Sequence, residues 1–357
     1  MSMSGIIIID KPAGWTSHDV VAKLRGALRD SAMRVDAMRS DAMRSDAVCD
    51  NAGINDVNRK SKKAKQRIGH GGTLDPMATG VLPIFIGRAT RAAEFCENAQ
   101  KEYIAELRLG IVTDTQDITG TVLCKNEVTA TYDDLVNALP RFKGQLTQIP
   151  PMYSAVKQGG KKLYELARSG VEVTRKARDI YISELDIMDE PFERTGLPDN
   201  TVITDAAENP DWLQENPLYR TSYTLRIVCS KGTYIRTLCH DIGALLGCGG
   251  TLSGLRRNRA GVYTIDMSHR MDEVLSYTLT DSVNEIMLPI DSIFSDYPSI
   301  SICESDIIKV KNGAVCRTLS DTEAGKYKVY APNGDFLLLG EVKNNTVHTI
   351  KSFFEIS

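Results

Sequence analysis

Glycines crowd the segment Arg67–Arg91, where Gly69, Gly71, Gly72, Gly80 and Gly87 stand with Pro76. The densest part reads Gly69-His70-Gly71-Gly72-Thr73-Leu74-Asp75-Pro76. Glycines this close together let the backbone approach another molecule, because no Cβ stands in the way. Pro76 restricts Asp75 to an extended conformation and so fixes the direction of its carboxylate. Spacing alone does not make this aspartate a nucleophile. A glycine turn followed by a locally hydrogen-bonded aspartate satisfies the pattern equally well.

The chain has 357 residues, 42% hydrophobic and 25% charged, a mix that supplies a substantial core and suggests about two domains. Its longest apolar runs, Ile6–Ile9 and Val81–Ile86, fall far short of the ~20 residues of a membrane-spanning helix. The first residues show neither a positive n-region nor an apolar h-region, so no secretory signal is expected. Eight scattered cysteines without a CxxC pair read as reduced thiols of a cytosolic protein. Net charge is −3, yet residues 189–215 carry eight acids against Arg194 alone, leaving the remainder net positive. Between Arg59 and Arg67 stand six positive charges and no acid, so a local basic surface is permitted.

A short buried strand at Ile6–Ile9 should lead through a Pro12–Gly14 turn into a helix capped by Ser17, with Val20, Val21, Leu24 and Leu28 at helical spacing. From Ser31 an Ala-Met-Arg repeat recurs every five residues and makes no apolar stripe. Residues 30–66 are therefore expected to be a flexible, low-complexity insertion. The alternation of Tyr103, Ala105, Leu107 and Leu109 predicts a strand over 102–109. Helices are expected over Tyr132–Leu139 and over Lys161–Ser169, the latter stopped by Gly170. A second insertion covers about 189–218. A strand at 221–229 precedes a helix starting near Tyr234, marked by Ile235, Leu238, Ile242 and Leu245, with Ile235 and Leu238 on its buried face. Beyond Pro289 the chain reads as a small separate β-domain. The whole is α+β, divided as 1–288 and 289–357.

The common cofactor and hydrolase motifs are absent: no P-loop, GxGxxG, Gly-x-Ser-x-Gly or HExxH occurs. Cys239, His240 and Cys248 form the only tight Cys/His group and read as packed thiols, not as a zinc site. Asp114 and Asp117 in TDTQDITG could bind a cation, but a polar turn after a strand explains them more simply.

The segment Lys11-Pro12-Ala13-Gly14-Trp15-Thr16-Ser17-His18-Asp19, followed by GHGGTLDPMATGVLP at 69–83, resembles the TruB family of tRNA pseudouridine synthases. Further matches follow in order: KEYIAELRLG (101–110), TDTQDITG (113–120), QIPPMYSAVKQGGKKLYELARSG (148–170), CSKGTYIRTLCHDIGALLG (229–247) and LSGLRRNRAGVY (252–263). Together they cover most of residues 4–265. KNGAVCR (311–317) and APNGDFLLLG (331–340) are similar to the PUA-like RNA-binding domain that bacterial members append.

The resemblance implies a pseudouridine synthase fold with a central mixed or antiparallel sheet, acting as a cytoplasmic monomer on the tRNA T arm. It implies redox-neutral isomerisation of uridine 55, with no cofactor and no metal. Asp75 would initiate glycosidic cleavage, a task that suits an ionised, dry carboxylate. Arg236 would pair with it and depress its pKa. Tyr103 would lie against the extruded base. Tyr234 and Leu255 align with further pocket positions. His70, in an exposed turn, aligns with a histidine that helps the T loop open. Lys11 would support the loop, Thr73 could hydrogen-bond near Asp75, and Arg256, Arg257 and Arg259 would form a compact basic group for phosphates. The same fold acting on another RNA, or an RNA chaperone without chemistry, are the rival readings.

Overall fold

The computed structural model describes residues 3–46, 66–154, 156–192 and 221–354. Its largest element is a mixed ten-stranded sheet. Eight strands form the main path: β1 (Gly5–Lys11), β2 (Thr79–Ile86), β3 (Lys101–Leu109), β4 (Gly144–Gln148), β5 (Arg178–Met188), β6 (Ser222–Cys229), β7 (Gly250–Ala260) and β8 (His269–Arg270). They lie in the order β8-β1-β2-β7-β3-β6-β5-β4, and the short strand Ile68–His70 pairs with β2.

The apolar runs of β1 and β2 are continuous because both faces of the sheet are covered there. Ile7 and Ile9 point into one core with Leu82 and Ile84, while Ile6 and Ile8 point into the opposite one with Val81 and Phe85. All four isoleucines are at most 1% exposed, and each such side chain contributes about 1.5–3 kcal/mol of burial. The strand expected at 102–109 is β3, with Tyr103, Ala105, Leu107 and Leu109 all in the first core.

Beyond the sheet path, a second sheet of five strands runs in the order Ser299–Ser301, Gly325–Tyr330, Phe336–Lys343, Thr346–Ser352, Cys316–Arg317. It has its own core around Val329, Leu338 and Val347. Leu339 and Phe353 nevertheless join Phe294 in the core behind β1 and β2. A helix over Glu304–Lys311, with acids in its first turn and lysines in its last, adds to the expected strands.

Several local expectations are corrected. The helix begun at Ser17 runs to Asp46, where a flexible segment from residue 30 was expected. The repeat lacks an apolar stripe, but Ala, Met and Arg are among the strongest helix formers. Arg34 Nη2 also donates to the Thr278 carbonyl at 2.9 Å, and Ser31 Oγ to Asp281 at 3.1 Å, tying the helix to the neighbouring one at Met271–Leu279. Residues 47–65, with most of the basic run, and residues 193–220 of the acidic insertion lie outside the described residues.

The cap of that helix is Thr16, not Ser17. Thr16 Oγ1 accepts from the Asp19 amide at 3.1 Å while Asp19 Oδ2 accepts from the Thr16 amide at 2.8 Å, a reciprocal capping box. The helix expected over 161–169 shortens to Leu163–Arg168, because Lys157–Gln158 and Lys161–Lys162 pair as a small hairpin. Gly159 and Gly160, both at positive φ, make its two-residue turn. The helix expected over 132–139 ends at Ala138 and passes into a 3₁₀ turn at Leu139–Phe142. Ile235 and Leu238 are buried as expected, while Leu245, at the end of the same helix, is 42% exposed.

Candidate active site

The glycine segment folds as a strand, Ile68–His70, then a turn that returns as β2. The N-terminal Lys-Pro segment clamps this turn. Ser17, freed from capping, accepts from the Leu74 amide at 2.8 Å and donates to the Leu74 carbonyl at 3.3 Å. The Gly14 amide donates to the Pro76 carbonyl at 2.8 Å. Lys11 is fully buried, and its ammonium donates to the carbonyls of Pro12 (2.9 Å), Trp15 (2.5 Å) and Pro76 (3.2 Å). Three acceptors match the three donors of an ammonium. Burial pulls the Lys11 amine down to about 8, with nearby Asp75 acting against that shift.

Asp75 emerges between these holds, its side chain 34% exposed. Arg236, in the first turn of the helix Ile235–Leu245 and 4% exposed, meets it. Arg236 Nη2 donates to Asp75 Oδ1 at 3.3 Å, and Nε lies 2.8 Å from Oδ2 as an ion contact without hydrogen-bond alignment. The same guanidinium donates to the carbonyls of Tyr153 (2.7 Å) and Thr115 (3.1 Å).

A second carboxylate shares Arg236. Asp117 is 5% exposed, and its Oδ2 lies 3.4 Å from Arg236 Nη1. Its Oδ1 accepts from the Thr119 amide (3.0 Å) and from the hydroxyls of Thr115 (2.9 Å) and Thr119 (2.6 Å). Sequence reasoning placed Asp117 in a polar turn. Its self-bonding is indeed that of a turn; only the fold brings it to Arg236. Gln116, at φ 63°, adds a link from the same turn by accepting from Thr237 Oγ1 at 2.7 Å.

Burial holds the Asp75 carboxyl above the usual carboxylate range; Arg236 pulls it down, and Asp117 pushes it up again. Arg236 depresses the carboxyl as expected, but burial outweighs it and the net shift is upward. One guanidinium divided between two carboxylates does not offset the loss of water around the first.

Tyr103 on β3 and Leu255 on β7 line the same face, 9% and 5% exposed, and burial pushes the Tyr103 phenol up. Tyr234 is half-buried just before the Arg236 helix. The side-chain amide of buried Gln148 accepts from the Tyr234 amide at 2.8 Å and donates to its carbonyl at 3.0 Å, fixing this helix start.

Other expected site residues are placed differently. His70 is half-buried on the edge strand, not in an exposed turn; its ring meets exposed His18 edge-on at 6.0 Å. Its Nδ1 is buried without a partner, and burial, helped by His18 and Arg257, pulls the ring down to about 4. The imidazole is thus neutral from about pH 5 upward. Thr73 is exposed, and its carbonyl accepts from Arg257 at 3.5 Å.

The basic triplet is not a compact phosphate group. Arg256 pairs with Asp10 at 2.8 Å, Arg259 lies 3.6 Å from Glu102, and Arg257 is 1% exposed. The three stand on a strand with a register shift before Arg259, so alternation disperses them. Among the described residues, no group of three or more His, Cys, Asp or Glu is placed to hold a metal ion. No helix among them is long and apolar enough to cross a membrane.

An aspartate on a glycine turn, a buried arginine beneath it and a tyrosine beside it thus form one cluster on the mixed sheet. Residues 59–202 match the TruB family pseudouridylate synthase (N terminal domain), and residues 236–295 match the tRNA pseudouridylate synthase B C-terminal domain. The chain is 35% identical over 348 residues to tRNA pseudouridine synthase B of Syntrophomonas wolfei, covering 98% of this chain and 96% of that one. It is also 35% identical over 355 residues to tRNA pseudouridine synthase B of Clostridium kluyveri, covering 98% and 100%. A chain from the crystal structure of a Cbf5-Nop10-Gar1 complex shares the fold at a TM-score of 0.61 and 21% identity, with 98% of this chain and 85% of that one covered. The chain belongs to the TruB family.

Proposed function

We propose that this protein is a tRNA pseudouridine synthase that isomerises uridine 55 of the T loop, working as a cytoplasmic monomer without a cofactor. Residues 1–288 form the catalytic unit, and the β-unit at 289–357 adds RNA contacts. The observation that carries this reading is the partly exposed Asp75 carboxylate held over the buried Arg236 that Asp117 shares.

In the reaction the C1′–N1 bond breaks, the uracil turns, and a C1′–C5 bond forms. The proton lost from C5 is balanced by one gained at N1, so no oxidant or reductant is consumed. Asp75, ionised, starts the cleavage. Arg236 keeps the carboxylate aimed. The Tyr103 face replaces part of the stacking lost by the extruded base, worth about 1–3 kcal/mol. Leu255 and Tyr234 complete the pocket wall, which excludes the water that would trap an intermediate. The neutral His70 ring can occupy space left in the loop without adding charge.

The deciding experiment uses unmodified tRNA transcript labelled with tritium at uridine C5. Forming the new carbon–carbon bond expels that hydrogen, so one tritium per tRNA should enter water. Tight tRNA binding without release would favour the chaperone reading; release only from another RNA would favour the other-target reading.

The rate also reports Asp75. Because the reacting form is the anion and burial raises the carboxyl, activity should fall on acidification at a pH above ~3.9, the ordinary aspartate value. His70, at about 4, adds no titration between about pH 5 and 8. An acid limb at or below ~3.9 would contradict a desolvated Asp75.

A further inference from the structure

Among the described residues, Arg257 is the bulkiest fully buried side chain, and no carboxylate pairs with it there. Its charge is met by backbone oxygen. Nε donates to the Val81 carbonyl at 2.8 Å, Nη2 to Gly72 at 3.2 Å and Nη1 to Thr73 at 3.5 Å. Gly72 and Thr73 lie just before Leu74 and Asp75, so these bonds hold the reactive turn at residues that Lys11 and Ser17 leave unbound.

The position of Arg257 in the sheet joins this turn to the base-facing strand. Across one edge of β7 it stands directly opposite Tyr103, and across the other opposite Gly80. Gly80 has φ 101°, and a Cβ there would lie 2.3 Å from the Arg257 carbonyl, so only glycine admits β7 this close. Cross-strand partners have their Cβ atoms about 4.5–5.5 Å apart, and the Arg257 charge pulls the Tyr103 phenol down against its burial.

We infer that Arg257 is a positioning residue for the reaction: it sets the reach of Asp75 through the Gly72 and Thr73 carbonyls, and, standing directly opposite Tyr103 in the sheet, it sets the place of that phenol beside the same carboxylate. The inference rests on the reading of Asp75 and Tyr103 as the groups that meet the base. It replaces a phosphate-binding role for Arg257, since a side chain 1% exposed presents no surface to RNA. Lysine in its place keeps the charge, but its single nitrogen cannot stand at once where Nε meets the Val81 carbonyl and where the two Nη atoms meet those of Gly72 and Thr73.

The test uses the full-length chain with Arg257→Lys and Arg257→Gln, each alone and combined with Tyr103→Phe. Single-turnover tritium release, tRNA affinity by filter binding and thermal melting are measured for every variant. Displacing the turn by about an ångström should slow single-turnover release about 100-fold, with tRNA affinity nearly unchanged. The loss should be clearly smaller in the Tyr103→Phe background, where the phenol is already gone. Equal losses in both backgrounds would overturn the link to Tyr103 and leave Arg257 a packing residue. An unchanged rate in Arg257→Lys would overturn the positioning role altogether. Failure of both variants to melt cooperatively would assign Arg257 to the fold and overturn the role too. Absence of tritium release by the wild-type chain is a separate result, and it would fell the functional reading beneath this one.

Discussion

Asp75→Asn should abolish tritium release while tRNA remains bound. The asparagine keeps the shape of the side chain, and its amide oxygen can still accept from Arg236 Nη2, now 3.3 Å from Asp75 Oδ1. The turn is held by Lys11, Ser17 and backbone bonds that do not use the carboxylate. What disappears is the anion, and with it the group that starts glycosidic cleavage. Loss of a group that acts as part of a catalytic unit typically costs 10⁴-fold or more, so single-turnover release should fall at least ~10⁴-fold. Affinity should hold, because a base pocket lined by Tyr103, Leu255 and Tyr234 is unchanged. Retained turnover in this variant would remove Asp75 from the chemistry. Parallel loss of binding would make it a substrate contact instead.

Arg236→Met should be the second severe variant, for a different reason. It leaves Asp75 and Asp117 near one another without their shared cation and deprives the Thr115 and Tyr153 carbonyls of a donor. Breaking a buried pair by removing one partner costs about 3–5 kcal/mol. Solvent reaching Asp75 reduces that figure, which should appear as a lower melting temperature, and the carboxylate, no longer aimed, should slow single-turnover release about 10²-fold. The pH profile separates this from simple misfolding. Arg236 now pulls the Asp75 carboxyl down, so its removal must raise that carboxyl further, and the acid limb of the surviving activity must move to higher pH. Arg236→Lys, which keeps a charge without the planar fork, should move the limb less. An acid limb in the same place for all three proteins would show that Arg236 does not touch the electrostatics of Asp75.

The elements most legible in the sequence are those whose cause is local. β1 follows from a short apolar run, β3 from alternation, and the Arg236 helix from apolar residues at helical spacing. The misreadings have local causes as well. The Ala-Met-Arg repeat was judged by its missing stripe, and helix propensity outweighed it as far as Asp46. Thr16 and Ser17 are both good cap residues, and the identity of the cap turned on Asp19 three positions after Thr16. At the site, resemblance supplied the candidate residues, and the structure brings Asp75, Arg236, Tyr103 and Leu255 to one face. Arg257 read as a phosphate contact because charge patterning in a sequence does not distinguish a solvated arginine from one whose donors are used by backbone.

By itself the sequence determined the glycine turn, the direction of Asp75 set by Pro76, the alternation of the base-facing strand and membership in the TruB family. The first three depend on residues within a few positions of one another, and the family on the order of short motifs along the chain. Only the tertiary structure decided that Arg236, 161 residues from Asp75, would also serve Asp117, and that Arg257 would hold carbonyls more than 170 positions away. Ion pairs and hydrogen bonds of this kind depend on distances of an ångström or less and on how much water remains, and those are set by which strands pair and what covers them.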